Sequence, residues 1–165
     1  MTQTLEQLVA ALREELQQYG EMLALLDRQQ ALVGRRAAAE LLQSVSDINA
    51  QTAVIGVARQ QREAVQRGVA RELQLPEDAS LVELIHRIPA PLGALVQALL
   101  DENNTCLLRV KQRAGQNRLL LIRSVELMHR LLNTLFVEPQ TPVYNGNGSV
   151  ALPPVKGAAL CNAVG

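Results

Sequence analysis

Leu5, Leu12, Tyr19, Leu26 and Val33 recur at seven-residue spacing, with Leu8, Val9, Leu16, Met22 and Leu23 filling the positions beside them. That spacing leaves one fold open to the segment. A helix is the conformation that brings all of these positions onto one side, so the segment is a long helix offering a stripe to a partner helix. Thr4 followed by Gln7 suits a capping box near its start. Gly34 and the pair Arg35–Arg36 suit its end, where cations complement the negative pole of the helix dipole. The spacing predicts a helix over about residues 3–33.

Two further segments read the same way. A second helix is predicted over about 37–75, with a seam through Leu41, Val45, Ile48, Thr52, Ile55, Arg59, Arg62, Val65, Val69 and Leu73. Polar residues interrupt that seam in the middle, and Gly56 and Gly68 each lower helix stability by about 1 kcal/mol against Ala, so packing must hold this element. Pro76 cannot continue it. Ser80 with Glu83 forms a capping box for a short helix over 81–87, and Pro89 and Pro91 then reset the chain. A third long helix follows over 91–136, antiparallel to the second, with a seam of Leu92, Val96, Leu99, Asn103, Cys106, Val110, Arg113, Asn117, Leu120, Ser124, Leu127 and Leu131. Polar residues on a seam commonly fix register at some cost in stability. At 1.5 Å per residue the second and third helices would each be roughly 60 Å long. The expected fold is all-α: an elongated antiparallel three-helix bundle or coiled coil over 1–136, with a flexible C-terminal tail over 137–165.

Composition agrees with helix-on-helix packing. The 165 residues suffice for one domain with a real core. Hydrophobic residues make up 48% and aromatics only 2%, so the core is aliphatic. Sixteen basic and sixteen acidic side chains cancel, which leaves no net field to draw in nucleic acid or an acidic membrane. The first residues carry acids and lack the apolar run of a secretory signal. The longest apolar runs, such as Leu119–Ile122, fall far short of the ~20 residues that cross a bilayer. Cys106 and Cys161 are poorly placed as a staple, and a reduced, soluble, cytoplasmic protein is the expectation.

Little in the chain speaks of chemistry. His86 and His129 stand beside no cysteine or carboxylate at metal-ligand spacing. Cys106 reads as a small seam residue. No glycine-rich loop follows a strand and opens a helix. The cations of 105–137, among them Arg109, Lys111 and Arg123, are spread around the helix with no aromatic to stack on bases. Neither catalysis, a cofactor, a metal nor nucleic-acid binding is expected.

The end of the third helix exceeds what a simple rod requires. On a helical wheel Leu120, Leu121, Val125, Leu127, Met128, Leu131, Leu132, Leu135 and Phe136 cover an arc of roughly 180°, against the ~100° stripe that one neighbour buries. The opposite face carries Arg118, Arg123, Glu126, His129, Arg130 and Asn133, with Leu119 and Ile122 intruding on it. One reading packs this end against both other helices or a second copy of the chain. The other is a surface that takes amphipathic helices from a partner.

Residues 137–165 hold four of the seven prolines and two charged side chains, and no periodicity survives there. Yet Tyr144 stands among Asn and Gly, where no core could form around it. An aromatic anchor in such a segment has the character of a short linear motif. The succession of Leu-rich helices, the run from Asn117 through Leu119–Phe136, and then Tyr144, Gly146 and Gly148 resembles the FlgN family of flagellar type III export chaperones. Asn145 stands where Gly commonly follows the tyrosine. The resemblance implies a cytoplasmic chaperone that binds hook-associated proteins, prevents their premature assembly and delivers them to the export apparatus. It implies client binding at Leu120, Leu121, Val125, Met128, Leu131, Leu132, Leu135 and Phe136. It also implies docking on the cytoplasmic domain of the export gate by Tyr144 with Gly146 and Gly148. The rival reading is a generic coiled-coil adaptor or structural rod whose tail is only a tether.

Overall fold

A computed structural model of the chain describes residues 2–35 and 37–136. Among the described residues all four elements are helices: α1 (Thr2–Arg35), α2 (Ala38–Glu72), α3 (Leu81–Ile85) and α4 (Leu92–Phe136). The helical fold class expected from the apolar spacing is the one found. The chain divides into two compact units, Met1–Val125 and Glu126–Gly165. In the second, the described residues are the last turns of α4.

Within the first unit α1 is the central element. It buries eleven residues where α2, of similar length, buries four. Cross-helix bonds give the directions. Thr4 bonds to Glu72, Gln18 to Gln51 and Gln29 to Ser44, so α1 and α2 run antiparallel. Asn103 bonds to Leu12 and Asn117 to Leu26, a constant separation of 91 residues, so α1 and α4 run parallel. The third long helix therefore returns antiparallel to the second, as the sequence leads one to expect.

The apolar core gathers at one pole. Leu5, Leu8, Val9 and Leu12 of α1 meet Val69 and Ala70 of α2, Val96 and Leu99 of α4, and Ala79, Leu84 and Ile88 of the corner between them. Burying each leucine contributes about 1.5–3 kcal/mol, so this pole anchors the unit. The corner is built locally. α2 ends with Leu75 N donating to Ala70 O (2.9 Å) and Gln74 N to Arg71 O (3.1 Å), around Gln74 at φ 57°. That is the Schellman arrangement with a glutamine in the left-handed position glycine usually fills. Ser80 and Glu83 form the expected capping box: Ser80 N donates to Glu83 Oε2 at 2.6 Å and Glu83 N to Ser80 Oγ at 3.3 Å. Gln66 Nε2, donating to Ala79 O at 2.8 Å, ties the corner back to α2.

Two sequence expectations are corrected. Thr4 does not cap α1, which begins at Thr2; its hydroxyl reaches across to Glu72 instead. The inner face of α2 also sits one residue from the expected seam at alternate positions. Ser44 is buried in place of Val45, and Ala58 in place of Arg59, while Gln51 bonds across to α1 in place of Thr52. The reason lies on α1, where Glu15, Gln18 and Gln29 occupy the facing stripe. A buried polar group requires a partner, and α2 supplies polar or small residues at those levels. Periodicity in hydrophobicity alone cannot find such a seam.

Candidate functional site

The seam that holds α4 to α1 proceeds at heptad spacing from Leu92 through Val96, Leu99 and Asn103 to Asn117 and Leu120, all buried or half-buried. Beyond it Ser124, Leu127 and Leu131, expected to continue the seam, are exposed.

The sequence-proposed client residues accordingly divide. In the first unit Leu120 and Leu121 are half-buried, and Val125 is exposed. In the second unit Met128, Leu131, Leu132 and Leu135 are 43–76% exposed, as is Leu127 beside them. Phe136 closes the helix, and its side chain lies outside the described residues, as do Tyr144, Gly146 and Gly148. Large apolar side chains at this exposure and density are more than ordinary surface.

A groove in the first unit runs over the α1 stripe, between α2 and α4, and it is open at two levels. At the upper level Leu26 and Gln29 of α1 form the floor, Val45 and Ile48 of α2 one wall, and Ala114, Arg118, Leu121 and Ile122 of α4 the other, enclosing about 490 Å³. At the lower level the floor is Leu12, Glu15 and Tyr19, and the walls are Arg59 and Arg62 of α2 and Leu100, Asn104 and Leu107 of α4, enclosing about 240 Å³. The two levels stand two heptads apart, so the wall positions correspond. Arg59 and Arg62 below take the places of Val45 and Ile48 above; Leu107 takes that of Leu121, and Asn104 that of Arg118.

The lower level is lined by charges that pair with one another. Arg62 Nε donates to Glu15 Oε2 (2.8 Å), Tyr19 Oη to Glu15 Oε1 (2.8 Å), and Arg59 Nη2 to Tyr19 Oη (2.8 Å). Burial, reinforced by the Glu15 carboxylate, raises the Tyr19 pKa against the pull of Arg59, so the phenol stays protonated. The hydrogen bond to Tyr19 in turn raises the pKa of Arg59. These groups satisfy one another and offer a ligand little. Near the upper level a buried chain links three helices: Asn117 Nδ2 donates to Gln29 Oε1, Gln29 Nε2 to Ser44 Oγ, and Ser44 Oγ to Leu41 O. Burial also raises the Cys106 pKa, which leaves a protonated thiol of low nucleophilicity. Among the described residues no three His, Cys, Asp or Glu side chains gather as a metal site, and no helix is long and apolar enough to cross a membrane.

Sequence reasoning found the apolar end of α4 and missed the groove. The signal was present in the chain: Val45 and Ile48 alternate with Arg59 and Arg62 at heptad-equivalent positions of one helix, which changes what stands beside the α1 stripe. A family model described as FlgN protein matches residues 1–151. No curated protein and no solved structure matches the chain.

Proposed function

Because this chain belongs to the FlgN family of flagellar export chaperones, we propose that it binds hook-associated proteins in the cytoplasm, prevents their premature assembly and delivers them to the type III export gate. The observation that carries the reading is the exposure of Met128, Leu131, Leu132 and Leu135 on the last turns of α4. An amphipathic helix laid on such a face buries its own apolar stripe together with these side chains. Each leucine taken from water contributes about 1.5–3 kcal/mol, so a few contacts hold a client while leaving it releasable. A client whose assembly helices are covered in this way cannot polymerise early.

Delivery is assigned to the segment after α4. Tyr144, followed by Gly146 and Gly148, supplies one large aromatic contact with few rotors to freeze, which suits a weak and reversible dock on the cytoplasmic domain of the gate. The test is a parallel pull-down of the intact chain and Tyr144→Ala against hook-associated proteins and the soluble gate domain. Both forms should retain the client, and only the variant should lose the gate. Intact chain that retains neither partner would leave the rival reading, a helical adaptor with a tether, in its place.

A further inference from the structure

We propose that the upper level of the α2/α4 groove is a second seat for a partner helix, one that brings apolar side chains and an acidic residue beside them. The groove positions of Arg59 and Arg62, which line the lower level and pair with Glu15, are held at the upper level by Val45 and Ile48. These are too short to reach across. The result is a three-sided trough, apolar apart from Gln29 on its floor and Arg118 on one wall, about two helical turns long from Ala114 to Ile122 at 1.5 Å per residue. Ile122 and Val45 on its rim are 45% and 42% exposed.

Charge selects the occupant. Arg118 lines this trough with its side chain exposed and, among the described residues, makes no ion pair and no side-chain hydrogen bond. Arg113, one and a half turns earlier on the same helix, is held by Asp27 at 2.8 Å and by Gln30 at 2.7 Å. At the lower level the chain supplies its own carboxylate, Glu15, to the arginines of the groove. At the upper level the equivalent floor residue is Gln29, already engaged with Ser44 and Asn117. No carboxylate stands among the residues that line the trough, and a helix whose apolar stripe is bordered by Glu or Asp brings both halves of the contact. A partner with lysine at that place meets like charge. The inference rests on the chaperone reading only in taking the partner to present helices.

The test titrates the full-length chain with a labelled synthetic helix bearing leucines at i, i+4 and i+7 and one glutamate beside them, followed by fluorescence anisotropy. The lysine version of the peptide should bind at least tenfold more weakly. Arg118→Glu should reverse that preference, and Val45→Glu, a change on the half-exposed rim, should abolish binding of both while circular dichroism shows the fold intact. Equal binding of the two peptides, or no binding of either, overturns the proposal. So does a photo-crosslinker at Val45 that maps to a second copy or to residues 137–165 in place of the peptide. Client capture by the same preparation reads the chaperone assignment independently. Capture that persists in a chain unable to take the peptide refutes the second seat alone, and peptide binding without capture refutes the chaperone reading alone.

Discussion

Asn103 and Asn117 stand two heptads apart on α4, and each donates its amide to a carbonyl of α1 lying 91 residues earlier in the chain, Leu12 at 3.0 Å and Leu26 at 2.7 Å. The pair acts as two pins at one offset, and a slide of α4 along α1 breaks both. The cost is visible as well: among the described residues the Oδ1 atoms of both are buried without a hydrogen-bond partner. Polar seam residues of this kind exchange stability for register.

The two pins differ in what they leave behind when removed. Among the described residues Asn103 bonds only to backbone carbonyls, Leu12 O and Leu99 O, both within helices. Asn103→Leu should leave stability unchanged or raise it by about 1 kcal/mol as a buried acceptor without a partner disappears. Asn117→Leu removes the donor to buried Gln29 and should cost about 1–3 kcal/mol. Urea denaturation of both variants decides the matter; equal effects would show that the Gln29 chain contributes nothing.

Glu15 is the buried acid on which Arg62 and Tyr19 converge. Its removal in Glu15→Ala should destabilise the chain by roughly 2–4 kcal/mol, at or below the range for breaking a buried pair because Arg62 retains some access to water. The double change Glu15→Leu with Arg62→Leu should recover most of the loss, since hydrophobic residues of similar volume replace such pairs at little cost. A double-mutant cycle by chemical denaturation measures both; a double variant no better than Glu15→Ala would show that the cost lay in packing.

Tyr19 predicts an alkaline limit. Burial, the larger cause, and the Glu15 carboxylate raise its pKa, with Arg59 opposing, so the folded chain holds this proton more tightly than the unfolded one. The contribution to stability is complete below about pH 10, the ordinary tyrosine value, and is lost as pH rises through the folded-state pKa. Circular dichroism across that range should show helix loss at lower pH in the intact chain than in Tyr19→Phe. Coincident curves would mean that another group sets the limit.

The corner between α2 and α4 offers a paired test of backbone geometry. Gln74 holds φ 57°, where a side chain costs about 1 kcal/mol, so Gln74→Gly should raise thermal stability by about that amount. Gly93 is the reverse case: a Cβ there would stand 2.8 Å from the carbonyl oxygen of Ile88. Gly93→Ala should cost about 1–3 kcal/mol as the backbone gives way. Scanning calorimetry on the two single variants should move the midpoint in opposite directions.

Sequence alone makes the four helices of the described residues and their order legible. The residues that stop a helix, such as Pro76, and those that start one, such as Ser80 with Glu83, act over three or four neighbours and are legible wherever they stand. It determined too that α4 carries more apolar surface near its end than one neighbour can cover. Tertiary packing settles which of those side chains are covered, with Leu120 and Leu121 half-buried and Val125 exposed. It also decided that α2 turns Ser44, Gln51 and Ala58 inward, since a buried Glu15, Gln18 or Gln29 selects its partner by hydrogen bonding and not by hydrophobicity. The trough above Leu26 follows from the same cause. Short Val45 and Ile48 leave a space only because a second helix and a third hold their backbones apart, and no single stretch of sequence contains that distance.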